Sequence, residues 1–145
     1  MSIKQISVFL ENTKGTLHEM MQLLGEHQIN ILAISLADTS GFGIVRLVVK
    51  SDDIDKALKV LADAGDMARV NDVVGIRVPH QPLGLATVLG QLDAADISIE
   101  YAYSFCRNTS DDAVIILRVN DAVKCAEVLQ ANQVPLVAQA DVDKF

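Results

Sequence analysis

Ile6-Ser7-Val8-Phe9-Leu10-Glu11-Asn12-Thr13-Lys14-Gly15-Thr16-Leu17 stands near the start of the chain, and Val74-Gly75-Ile76-Arg77-Val78-Pro79-His80-Gln81-Pro82-Leu83-Gly84-Leu85 follows in register 68 residues later. In both stretches an alternating apolar run, the signature of a strand with one buried face, breaks at a polar turn and resumes with helical spacing. The same offset carries Leu24 onto Leu92 and Ile29-Asn30-Ile31 onto Ile97-Ser98-Ile99. It also carries Asp53, Lys56, Val60 and Leu61 onto Asp121, Lys124, Val128 and Leu129. A period this long holds several strands and helices, so it marks a duplicated small domain and not a solenoid repeat.

Outward from these loops, the first copy reads as strand 3–10, helix 15–27, strands 29–37 and 42–49, helix 51–65 and a short strand 67–70. Thr13 or Thr16 is expected to cap the first helix, and Ser51 or Asp52 the second. Gly65 is expected to end the second helix. Thr39-Ser40-Gly41 has the chemistry of a hairpin turn. The second copy repeats the order as strand 73–79, helix 82–95, strands 97–106 and 112–119, helix 121–132 and strand 134–141. The fold class is therefore α+β: two ferredoxin-like βαββαβ units in tandem, 1–71 and 72–145, with antiparallel sheets and helices on one face. Strand 29–37 reads as apolar on both faces, Ile29, Ile31 and Ala33 against Leu32, Ile34 and Leu36. A sheet with helices on one side only should carry a polar second face. The expectation is that another sheet, from the other copy or another chain, packs there.

Composition excludes several roles. The net charge is −7 and the basic residues are scattered, which argues against a nucleic-acid partner. The chain is 50% hydrophobic, yet no apolar stretch approaches the ~18 residues a membrane span needs. The N-terminal residues lack a signal peptide's basic head and apolar stretch, so a cytoplasmic location is expected. The surplus apolar content points to a protein interface, with a homodimer expected. Cys106 and Cys125 have neither CxxC nor metal spacing and read as reduced, buried, inert thiols.

Catalytic signatures are missing. His18-Glu19 opens like a zinc-protease helix but has no second histidine one turn on. Gly41-Phe42-Gly43 lacks the third glycine and the helix that would seat a pyrophosphate. Asp52-Asp53 and Asp111-Asp112 read as cap and turn residues. Neither an enzyme nor a cofactor is expected. His80 is a candidate ligand contact, standing at the position equivalent to Asn12.

With these residues in place, the chain resembles the ACT domain family over its whole length. The resemblance lies in the apolar strand, the Asn12-Thr13-Lys14-Gly15-Thr16-Leu17 turn, the helix and Ile29-Asn30-Ile31. It recurs in His80-Gln81-Pro82-Leu83-Gly84-Leu85 and the run Ile97 to Phe105. Departures are Lys14 where proline is usual, Leu83 where glycine is usual, and His80 in place of an acid or amide. The first copy thus follows the family's binding pattern more closely.

The resemblance implies a regulatory module that binds a small amino acid where ACT units meet. Its ligand-binding residues are then Asn12, Thr13, Lys14, Gly15, Thr16, Leu17 and Asn30 in the first copy. In the second they are His80, Gln81, Leu83, Gly84, Leu85 and Ser98. The implied partners are a small amino acid, a second copy of the chain and an enzyme of amino-acid metabolism; the alternative role is a regulatory or assembly subunit of a biosynthetic enzyme, with vestigial ligand sites. The chemistry suits this: a helix N-terminus with free amides for a carboxylate, a glycine for close approach, and a side-chain amide oxygen for an ammonium group.

Overall fold

The computed structural model describes residues 2–11, 13–39, 41–106 and 112–145. Its elements run β1 (Ile3–Leu10), α1 (Thr16–Glu26), β2 (Ala33–Thr39), β3 (Phe42–Val48), α2 (Ser51–Asp63), β4 (Met67–Pro79), α3 (Gly84–Ala94), β5 (Ile99–Ser104), β6 (Asp112–Val119), α4 (Ala122–Ala131), β7 (Leu136–Val137) and α5 (Gln139–Val142). They form two compact units, Lys4–Asn71 and Asp72–Phe145, the latter taking in the N-terminal residues through Ile3. The first five residues of β4 belong to the first unit and the rest to the second.

Each unit has the same strand order. In the first, β3 lies antiparallel between β2 and β1, with Ile34 opposite Leu47 and Val8 opposite Val45. In the second, β6 lies between β5 and β4, and β7 joins the far side of β4. This is the tandem ferredoxin-like βαββαβ arrangement, with antiparallel sheets.

The cores repeat as the sequence does. Ile6, Val8 and Leu10 meet Met20 and Leu24 of α1 and Ala57 and Leu61 of α2. At the same offset, Val74, Ile76 and Val78 meet Val88 and Leu92 of α3 and Cys125 and Leu129 of α4. Cys125 fills the place of Ala57, and burial pushes its thiol pKa up, with Asp121 adding to the shift.

Four expectations are corrected. The strand after α1 begins at Ala33, not at residue 29. Gln28 adopts a left-handed φ of 61° and the Ile29 amide donates back to the Leu24 carbonyl. Ile29 therefore closes the helix and plugs the core before the ladder begins. Ile97 does the same with Leu92, so β5 begins at Ile99. The outer face of β2 carries Ala33, Ser35 and Ala37, and its Ala33 end is fully buried together with Val48 opposite, so that end is covered.

The expected strand 134–141 is only Leu136–Val137. Asp141 accepts the Ala138 amide at 2.9 Å and starts the short helix α5 instead. The caps also differ. α1 starts from Gly15, whose side chain cannot cap, and the Thr16 hydroxyl donates to the Thr13 carbonyl. α2 starts from Lys50, again without a side-chain cap, whereas Asp121 does cap α4 by accepting the Lys124 amide. Finally, Cys106 is exposed, because β5 ends before it.

On the face away from its helices, the second unit is covered by its own C-terminal segment. Val73, Val114 and Ile116 alternate with the helix-facing residues and are buried, as are Val137 and Val142. Phe145 meets Phe105 edge to face at 5.2 Å, and the Arg77 guanidinium lies 5.7 Å from the Phe145 ring. The corresponding face of the first unit presents Phe9 and Phe42, 42% and 43% exposed, with ring centroids 6.0 Å apart.

Candidate ligand-binding site

The two strand-to-helix loops share one hydrogen-bond skeleton. In the first, the Thr13 amide donates to Glu11, Thr16 to Thr13 and Glu19 to Gly15. In the second, Gln81 donates to Pro79, Gly84 to Gln81 and Thr87 to Leu83, each pair 68 residues on. Residue 15 and residue 83 therefore hold the same left-handed backbone, at φ 92° and 67°. Gly15 accepts this without strain, whereas Leu83 places a side chain in a conformation that costs about 1–2 kcal/mol. Leu83 is also 76% exposed, so neither burial nor packing within the unit offsets that cost.

The glycine of the second loop sits one position later. A Cβ on Gly84 would collide with the Pro79 carbonyl, so this residue must be bare where the loop folds on itself. That close approach holds the start of α3 tight against the end of β4.

Behind this loop lies a pocket of about 440 Å³. Val78 and Phe105 are its buried lining, Ala113 and Ile115 are half-buried, Leu85 enters from α3, and Pro79, His80, Gln81, Ser104 and Cys106 complete it. The structure thus brings together His80, Gln81 and Leu85 of the expected residues. Leu83 and Gly84 shape the loop without lining the pocket. Ser104, Cys106, Ala113 and Ile115 were not foreseen. Their only signal was that strands two and three of such a unit end and begin beside the first loop.

Ser98 lies elsewhere. Its amide donates to the Asn120 side chain at 2.9 Å, beyond the end of β6, whereas Pro79 pairs with Asp112 at the start of β6. The length of that strand, about 20 Å, separates Ser98 from the His80 loop within the unit. Asn30 is placed likewise, since neighbouring Leu32 bonds Val48 at the end of β3 while Leu10 pairs with Gly43 at its start. Of the first-copy set, Thr13, Lys14 and Gly15 are exposed in the loop. Leu17 packs on the core. Thr16 lines a smaller pocket of about 170 Å³ with Leu10, Glu19 and Met20. Asn12 lies outside the described residues. Among the described residues, no cluster of three or more His, Cys, Asp or Glu side chains is placed to hold a metal. Among the described residues, no helix is long and apolar enough to cross a membrane.

Duplicated strand–loop–helix units, each folded on the same loop skeleton, define a tandem of two like modules, the second with a pocket beside its loop. The chain belongs to the ACT domain pair family, whose model matches residues 1–145. It is similar to a solved protein of Bacteroides thetaiotaomicron, 42% identical over 100% of this chain and 98% of that one, with a TM-score of 0.89. The fold also matches the ligand-free regulatory subunit of aspartate kinase from Thermus thermophilus, 20% identical over 92% of each chain, TM-score 0.65. The Thermus flavus subunit is 18% identical over 90% of this chain and 92% of that one, TM-score 0.62. No curated protein matches the chain.

Proposed function

We propose that this protein is a non-enzymatic, cytoplasmic regulator that binds a small amino acid beside the strand-to-helix loops and works as a homodimer. The observation that carries the reading is the loop skeleton, repeated bond for bond, with a pocket of about 440 Å³ behind its second occurrence. Ligand binding in that pocket would favour one arrangement of loop and neighbouring surface over others, and a partner that reads the surface would respond. The Phe9–Phe42 patch, the exposed end of a face whose Gln5, Ala33 and Val48 are buried, supports pairing of two chains there.

Isothermal titration against the twenty amino acids tests the binding claim: saturable heat for at least one supports it, and none for any removes it. Sedimentation tests the dimer. The native chain is expected at twice its monomer mass and Phe42→Asp at the monomer mass; a monomeric native chain removes the dimer claim.

A second reading is favoured by Leu83, strained and 76% exposed. It is a regulatory or assembly subunit of an amino-acid biosynthetic enzyme with vestigial ligand sites, the role the Thermus aspartate kinase subunits named above suggest. Stoichiometric recovery of one such enzyme, lost in Leu83→Gly and independent of any amino acid, would favour it over the first.

A further inference from the structure

The pocket beside the His80 loop is graded. Its apolar wall is buried Val78 and Phe105 with half-buried Ala113 and Ile115, and its polar groups are His80, Gln81 and Ser104, all three on exposed residues. Among the described lining residues none is Asp, Glu, Lys or Arg. A charged ligand side chain against Val78, Ala113 and Ile115 would lose its hydration with no counter-ion among the described lining residues to replace it. A hydroxyl there would lose hydrogen bonds to water and gain none. An ammonium and a carboxylate can stay solvated at the exposed end, beside the imidazole, amide and hydroxyl. The volume suits a small molecule and lies toward the lower end of such sites.

We infer that this pocket selects a neutral amino acid with an aliphatic side chain, of the valine, leucine or methionine kind, side chain inward and zwitterionic head outward. The inference rests on the amino-acid-binding reading and adds where the ligand sits and what chemistry it has. Every lining residue comes from the second unit.

Cys106 lines the pocket and is exposed, whereas Cys125 is buried with its thiol pKa raised, so a thiol reagent on the folded chain reports Cys106. The experiment pairs calorimetry with thiol labelling, using L-valine, L-leucine, L-methionine, L-threonine, L-aspartate and L-lysine. The expected result is that an aliphatic member binds at least about tenfold more tightly than L-threonine. At saturation it should slow Cys106 labelling severalfold. Ala113→Leu, which fills the inner end, should weaken that binding by about tenfold or more. Should that variant misfold, protection of Cys106 in the unaltered chain decides alone.

Tighter binding of threonine, aspartate or lysine overturns the inference while leaving amino-acid binding in place. Aliphatic binding that leaves Cys106 labelling unchanged does the same, because the ligand then sits elsewhere. Heat from no amino acid overturns both.

Discussion

Leu83 and Gly15 pose one conformational problem and answer it differently. Both start a helix from a left-handed backbone, but only one is a glycine. Leu83→Gly should therefore stabilise the chain by about 0.5–1 kcal/mol, the relief of strain less the entropy a glycine loses on folding. Gly15→Leu should destabilise it by about 1–2 kcal/mol. Urea midpoints of the two variants check this, and a Leu83→Gly chain less stable than the native one would contradict it. The sequence showed that Leu83 departs from the usual glycine; that the glycine's second duty passes to Gly84 was not legible. That duty is set by the Pro79 carbonyl, a contact that exists only once the loop has folded over.

At the scale of elements, α1, α2, α3 and α4 end alike, with a left-handed residue followed by an amide that reaches back to the last turn. Gln28, Gly65, Asp96 and Gln133 supply the first, and Ile29, Asp66, Ile97 and Val134 the second. Only one of these is the residue that the conformation favours. Gln133→Gly, at the position equivalent to Gly65, should raise stability by about 0.5–1 kcal/mol, measured as a shift in thermal midpoint.

Asp66 stands at one of these closures, and burial raises its carboxyl pKa above the usual aspartate value. Folding then favours the protonated form, so its contribution to stability falls as pH rises through the interval between the unfolded and folded values. Asp66→Asn should stabilise the chain at pH 7, and the gain should disappear below the ordinary aspartate pKa. Melting curves from pH 3 to pH 8 read this directly.

The same closures explain why element order was readable and boundaries were not. Ile29 and Ile97 have strand-like neighbours in sequence, yet their amides belong to the preceding helix. Alternation alone cannot distinguish those two uses of an isoleucine. The run 134–141 departs from its strand-like pattern for a similar reason: the carboxylate of Asp141 takes the Ala138 amide that a ladder would use. On the site, the residues nearest the turn in sequence were legible. Ser104, Cys106, Ala113 and Ile115 arrive only through strand order.

For the whole molecule, the two copies share their inner cores along the first strand and the helices, shift by two residues where β3 pairs with β1 and β6 with β4, and differ on their outer faces. Removing 138–145 strips buried Val142 from the second unit and takes the Phe145 ring off Phe105 and Arg77. The truncated chain should lose at least about 3 kcal/mol and bind an apolar dye that the intact chain binds weakly. Unchanged urea and dye titrations would mean that the segment covers little.

Beneath that segment, β4 passes through Gly75 between Ile3 and Val137. A methyl group on residue 75 would overlap the Ile3 side chain and come within 2.9 Å of the Val137 carbonyl oxygen. Of these two neighbours only the end of the isoleucine can swing aside; the carbonyl is backbone, held where Gly75 and Val137 pair. Among descendants of this chain, residue 75 should then stay glycine, and a mutational library should recover nothing bulkier there even alongside smaller residues at 3.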